Sequence, residues 1–317
     1  MLKSNHKQQR TIKEASSCTG VGLHTGVESK ITFKPAPENY GIRFKRTDIK
    51  GSPAIKADID HVVDISRGTT IEQNGVRIHT VEHALAAVSG LRIDNILIEL
   101  TSKETPVMDG SAKDFVEALH SSGQITQDEN RRVLPIRNAV TYSDTVKEID
   151  IHVIPSNRFR VTFMVDYPLP QLGTQYEAIY NMEEDFAKEV APARTFCFMS
   201  EVEMLKEQGL IKGGTLENAV VIIDKEIVPD EIDHLRTLFN IEETIISGAN
   251  GILNDKVLRY RNEPVRHKTL DLIGDLALLG VPIKGHVTAA RSGHASNVEF
   301  VKMIRQEYAD YFKENKI

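Results

Sequence analysis

The chain has 317 residues, 40% hydrophobic and 26% charged, a length and usage that predict a foldable protein with a substantial core and exclude a disordered, collagenous or coiled-coil chain. Lys and Arg number 39 and Asp and Glu 45, so the net charge of −6 excludes a broad nucleic-acid surface and leaves room only for local basic pockets. Two cysteines, Cys18 and Cys197, are too few for a disulfide framework or an all-thiolate zinc site, so a metal would have to be held by some of the 11 histidines and by carboxylates.

The polar start Met1-Leu2-Lys3-Ser4-Asn5-His6-Lys7 carries no secretory signal, and no uncharged apolar stretch approaches the ~18 residues of a membrane span. The expectation is a cytoplasmic protein with no integral membrane segment. Short strands are predicted over 29–34, 41–46 and 54–63, and Asn74-Gly75 predicts a two-residue hairpin turn, because both positions of that turn need positive φ. Thr80 is placed to cap a helix over 81–88 that stops at Ser89-Gly90, with a strand over 95–100 behind it. Ser111 is placed to cap a second helix whose inner side carries Phe115, Ala118 and Leu119.

Residues 121–132 are polar and nearly free of apolar side chains, which predicts a linker over 123–132 between a first domain, 1–122, and a second, 133–317. Strands then resume over 133–142, 148–154, 159–166 and 175–180. Helices are predicted over 201–208 and 230–239, a buried strand over 219–223, a long helix over 264–279, a strand over 284–290 and a helix at the end. Strands followed by helices in each half predict an α+β protein: two domains, each a sheet with helices on one face.

At about 100° per residue, the helix over 264–279 gathers His267, Lys268, Asp271, Gly274 and Asp275 on one polar stripe of an otherwise apolar surface. So apolar a helix is mostly buried, and its stripe therefore faces a cleft. His267 and Asp271, at i and i+4, have the spacing by which a helix offers two ligands to one metal; an ordinary helical ion pair is the alternative. In the earlier helix His83 stands apart from the apolar face of Val81, Leu85 and Val88, beside Glu82 in the first turn, where the helix dipole favours a carboxylate. A solvated Glu-His pair is the alternative there. Ser292-Gly293-His294 can project a histidine from a strand end. The loop Gly209–Thr215, with Gly213-Gly214, can cradle a phosphate or serve as a simple turn, and it lacks the order of a P-loop. Two histidines and one aspartate with an unligated carboxylate nearby make the parts of a catalytic zinc site: three protein ligands, an open position and a base.

Gly20-Val21-Gly22-Leu23-His24-Thr25-Gly26, Thr80-Val81-Glu82-His83, Ile93-Asp94-Asn95, Pro106–Ser111, Ala193-Arg194-Thr195-Phe196, Arg266–Asp271 with Ile273-Gly274-Asp275, and Ser292-Gly293-His294 follow one another in this order. Together, over about residues 11–300, they resemble the UDP-3-O-acyl-N-acetylglucosamine deacetylases, the zinc amidases of lipid A biosynthesis. The resemblance implies two similar domains, each a mainly antiparallel sheet with helices packed on one face, and an active site at their interface. It implies His83, His267 and Asp271 as ligands of Zn2+, Glu82 as general base, His294 as general acid or electrostatic partner, Thr195 as hydrogen-bond donor to the reacting carbonyl, and Asp275 as support for His294. Phe196, Lys268 and Gly214 would bind the substrate, an acylated UDP-sugar.

The loops over 66–69 and 210–216 stand at the family's two inserts, where an apolar passage holds the acyl chain. Thr25 stands where serine is common in the family, and residues 225–257 lengthen the link to the metal helix without an assigned role. Some members continue into a dehydratase module, and the tail 302–317 would be a terminus or the start of such a link. A monomer is expected. A phosphoryl-transfer enzyme built on Gly213-Gly214 and a non-catalytic sugar-nucleotide binding module are the competing readings.

Overall fold

The computed structural model describes residues 8–170, 172–225, 236–237 and 251–315. Its first half contains strands β1 (Gln8–Ile12), β2 (Ser16–Val21), β3 (Glu28–Pro35), β4 (Ile42–Arg46), β5 (Ala54–Lys56), β6 (Val62–Asp64), β7 (Thr70–Gln73), β8 (Val76–Ile78), β9 (Ile96–Leu100) and β10 (Gln124–Asn130), with helices α1 (Glu82–Gly90) and α2 (Lys113–Ser121). The second half contains β11 (Leu134–Pro135), β12 (Val140–Asp144), β13 (Ile149–Pro155), β14 (Arg160–Asp166), β15 (Thr174–Ile179), β16 (Phe196–Phe198), β17 (Val220–Ile222) and β18 (Ile283–Ala290). Its helices are α3 (Met182–Asp185), α4 (Met199–Glu207), α5 (Glu263–Ala277), α6 (His294–Glu307) and α7 (Ala309–Asn315).

The two main sheets repeat one topology. The first runs β2-β3-β9-β4-β5 and the second β12-β13-β18-β14-β15, with β11 added beside β18. In each, the last strand in sequence enters the middle, antiparallel to one neighbour and parallel to the other. Burial alternates along β14 and β18, so one face of the sheet packs inward and the other meets water. The chain is thus α+β, with mainly antiparallel sheets and their helices on one face.

Helices α1 and α5, which immediately precede the central strands β9 and β18, pack on each other between the two sheets. This explains why α1 is buried all round, His83 included, although its sequence shows a single apolar stripe. The helices approach closely at Gly274, where an added Cβ would lie 2.2 Å from the backbone oxygen of Glu82.

Several predicted elements change on folding. The hairpin stands as expected, with Asn74 at φ 54° and Gly75 at φ 78°. The run 54–63 is broken into β5, a 3-10 turn over Ile59–His61 and the start of β6. Thr80 does not cap α1: it sits at φ 59°, its hydroxyl donates to Glu104 Oε1 at 3.1 Å, and Val81 takes the N-cap position without a side-chain bond. The polar stretch predicted as a linker is largely strand β10, paired with β1 and exposed on both faces, which is why it needs no apolar residues. The helix expected over 230–239 lies outside the described residues except for 236–237. At the end of the 225–257 segment, Ile252 and Leu253 are buried, and Ile252 bridges to Ile222 of β17.

Candidate active site

The first turn of α1 and the middle of α5 face each other across the helix contact. His83 Nε2 lies 3.7 Å and His267 Nε2 3.5 Å from Asp271 Oδ1, and the two imidazole rings meet edge to face with centroids 5.0 Å apart. All three residues are buried, and one donor atom from each lies within 4.8 Å of the other two. The His267 ring uses Nδ1 to donate to the Ala193 carbonyl at 3.0 Å, which fixes its orientation and leaves Nε2 free as a donor to a metal. Burial, helped by His267, pushes His83 down to about 3, and burial also lowers His267, so both rings are neutral with lone pairs available. Burial works against the charge of Asp271, but His267, Lys268 and His294 hold it well below the usual carboxylate range. Lys268 Nζ donates to Asp271 Oδ2 at 3.2 Å. Neutral imidazoles and one carboxylate around a shared point fit a divalent metal such as zinc.

Two further groups line the cluster. Glu82 accepts from the Thr69 backbone N–H at 2.9 Å and has Oε1 3.8 Å from His294 Nε2. Burial, opposed by His294 and reinforced by Asp275 and Asp271, lifts Glu82 to about 7. His294, the first residue of α6, donates from Nδ1 to Asp275 Oδ2 at 2.8 Å. Burial disfavours its charge, yet Asp275 dominates and raises His294 to about 10. One group poised to take a proton and one that carries a proton therefore stand side by side. Asp275 has no exposed surface and accepts three bonds, from His294, from Thr69 Oγ1 at 2.6 Å and from Asn297 Nδ2 at 2.9 Å.

Thr195, Phe196 and Gly214 belong to a neighbouring feature. They line a cavity of about 150 Å³ whose other walls include Leu23, Val202, Leu205, Ile211 and Val221. The loop of Thr195 is tied to the cluster through Ala193, and the Phe196 ring lies 6.4 Å from that of His267. Buried Glu263, in the first turn of α5, accepts from Arg194 N and Nε at 2.9 Å each and so anchors the same loop. The glycine-rich loop does not form a phosphate cradle. Its N–H groups are taken by protein acceptors: Lys212 by His24 O, Gly213 by Leu23 O, Gly214 by Ile211 O and Thr215 by Asn218 Oδ1. That loop docks on Gly22–His24 of the first half, and the phosphoryl-transfer reading loses its feature.

Sequence reasoning missed Thr69 and Glu104. Thr69 touches Glu82 with its backbone and Asp275 with its side chain, bridging the halves. Glu104, with no exposed surface, accepts from His24 N, Thr25 N, Thr25 Oγ1 and Thr80 Oγ1, and so pins the Gly22–Thr25 loop to the entry of α1. A carboxylate four residues before Met108 in a turn-rich stretch carries no local sign of such partners, which lie 24 and about 80 positions away.

A buried cluster of two histidines and one aspartate, with Glu82 and His294 beside it at the contact of α1 and α5, is a candidate metal centre of a hydrolytic kind. The family model for UDP-3-O-acyl N-acetylglycosamine deacetylase matches residues 9–239 and 235–306. The chain belongs to that family. It is 51% identical over 303 residues, 95% of its length, to the bifunctional enzyme LpxC/FabZ of Chlorobaculum tepidum, and spans 65% of that longer relative. It is 38% identical over 310 residues to the UDP-3-O-acyl-N-acetylglucosamine deacetylase of Myxococcus xanthus, covering 98% of this chain and 90% of the relative. The corresponding enzyme of Syntrophotalea carbinolica is 40% identical, with 93% of this chain and 87% of the relative covered. No helix among the described residues is long and apolar enough to cross a membrane.

Proposed function

We propose that the protein hydrolyses the N-acetyl group of a UDP-3-O-acyl-N-acetylglucosamine, releasing acetate and the free amino sugar, as a step of lipid A biosynthesis. The convergence of His83, His267, Asp271, Glu82 and His294 at the contact of α1 and α5 carries this reading. His83, His267 and Asp271 would hold Zn2+, and a bound zinc supplies Lewis-acid polarisation of the amide carbonyl and a water acidic near neutrality.

Each remaining role falls to a residue of the chain. Glu82 takes the proton of the attacking water as the new C–O bond forms, a role that its pKa of about 7 suits. The Thr195 hydroxyl donates to the carbonyl oxygen as negative charge builds on it. His294, kept protonated by Asp275, gives its proton to the amine nitrogen as the C–N bond breaks, and acetate leaves. Lys268 and Phe196 contact the nucleotide-sugar, and the cavity beside Thr195 and Gly214, walled by Leu23, Val202 and Ile211, takes the acyl chain.

Residues 1–122 and 133–317 act on this reading as two domains, neither of which works alone. The association with a dehydratase module is carried over as part of the proposal and rests on the bifunctional naming of relatives such as the Chlorobaculum tepidum enzyme. Metal content and acetate release, measured together on purified protein with the acylated UDP-sugar, test the reading. Stoichiometric zinc with acetate release is the expected result. A zinc-loaded protein that releases no acetate overturns it.

A further inference from the structure

At the C-terminal ends of α1 and α5, away from the candidate metal ligands, lies a second, larger cavity of about 920 Å³, walled by both halves of the molecule. It is far larger than the one beside Thr195 and is lined by none of the candidate metal ligands, catalytic residues or substrate-binding residues, so the deacetylase reading gives it no role. Among the described residues, seven cationic side chains line it against three carboxylates. Lys56 is matched by Asp58 at 3.1 Å, and the C-termini of α1 and α5, which end at the groove, bring about half a negative charge each. A positive excess of about two charges remains, within a protein whose net charge is −6.

The strongest sign that this charge is functional is Arg92. Its backbone N–H bonds to Ser89 O and that of Ile93 to Val88 O, a pattern that places Arg92 just past the end of α1 at φ 57°. Glycine is the usual residue there, because a side chain in that conformation costs roughly 1 kcal/mol. Just past the end of the topologically equivalent helix α5, the residue with positive φ is Gly280, at 81°, whose N–H bonds to Ala277 O on the wall of the same groove. The fold therefore does not demand arginine at 92, and a buried arginine with positive φ stands where glycine is easier. Its guanidinium sits with that of Arg10 around one carboxylate, Glu183, at 3.7 and 3.3 Å, while Arg131 pairs with Asp94 at 2.6 Å. Exposed Arg132, Arg158 and Lys284 complete the rim. The floor is apolar, with Phe159, Leu276 and Val281.

We propose that this groove binds a small phosphorylated metabolite, its phosphates held by Arg92, Arg132, Arg158 and Lys284 and its body resting on the apolar floor. Guanidinium groups grip phosphate oxygens in pairs, and the cavity has the size of a small-molecule site. The site is independent of the deacetylase reading.

Calorimetric titration of the metal-loaded protein with ADP tests it. Saturable binding is expected, weakening as salt rises. The double substitution Arg132→Glu/Arg158→Glu should weaken it by roughly tenfold or more. Arg92→Gly should weaken binding comparably while the melting temperature stays level or rises, since glycine relieves the backbone strain. Lys268→Met, on the catalytic side, should leave ADP binding intact. The proposal is overturned if ADP does not bind, if the groove substitutions leave its affinity unchanged, or if Lys268→Met alone abolishes it.

Discussion

The two halves of the molecule share one strand order and place one helix, α1 or α5, in the same position before the central strand. They nevertheless contribute different chemistry. Helix α1 brings one imidazole and a carboxylate whose pKa burial raises, both from its first turn. Helix α5 brings His267, Lys268, Asp271 and Asp275, from its second turn to its last. Repeated architecture thus supplies a symmetric pair of packed helices, and the side chains on them make the site asymmetric. The division also separates tasks: α5 supplies two of the three candidate metal ligands and the support for His294, while α1 supplies the third ligand and the proposed base.

The division makes ordered predictions. His267→Ala removes one of the two candidate ligands on α5 and the contact to Ala193 together, so bound metal and acetate release should both be lost, as metal analysis beside an activity assay will read. Glu82→Ala, one residue from the candidate ligand His83 on α1, should leave bound metal unchanged and lower turnover by about 10²–10⁴-fold, the usual worth of a general base. If the two variants lose metal equally, the contrast between the helices fails. If Glu82→Ala stays fully active, the base lies elsewhere.

The helix contact itself gives the next effect. Gly274→Ala puts a methyl group 2.2 Å from the Glu82 backbone oxygen and must push α1 from α5, at a cost of ~1–3 kcal/mol typical of overpacking. Denaturant unfolding will measure it, and turnover should fall as well because the separated helices carry the site. Gly280→Ala, which places a side chain at a φ of 81° beyond the end of α5, should cost ~1 kcal/mol in backbone strain and leave turnover unchanged. Equal behaviour of the two would mean that the α1–α5 distance does not matter to the reaction.

Parts of this organisation are legible in the amino-acid sequence for definite reasons. Asn74-Gly75 specifies its turn locally, and the polar stripe of α5 shows in the helical period because all its members lie within nine positions, from His267 to Asp275. The burial of His83 is not legible, since it follows from α5 packing on the polar side of α1. Neither is the role of Thr69, 206 positions from Asp275, nor the strand over 124–130, whose exposed pairing with β1 leaves no apolar alternation. That the two halves are similar α+β units is legible from strands followed by helices in each half and from the family resemblance, but their common strand order is not, because it is a property of pairing and the two halves carry different side chains on it.

A last comparison concerns the acids that open the two helices. Glu82 begins α1 and Glu263 begins α5, both are buried, and their pKa values move in opposite directions. Glu82 accepts one backbone N–H and faces two other carboxylates, so burial prevails. Burial also disfavours the charge of Glu263, but Arg194 binds both of its oxygens and the Arg259 N–H adds a bond at 2.7 Å, which holds it below the usual range. A carboxylate lowered in the folded state contributes stability that is fully present above its unfolded value of ~4.3 and is lost as pH falls through the folded value. The melting temperature of the native protein should therefore exceed that of Glu263→Gln most clearly above pH ~5, and the gap should close as pH drops below ~4. A gap that stays constant through the acid range would mean that Glu263 acts by packing alone, and the electrostatic contrast between the helix starts would disappear.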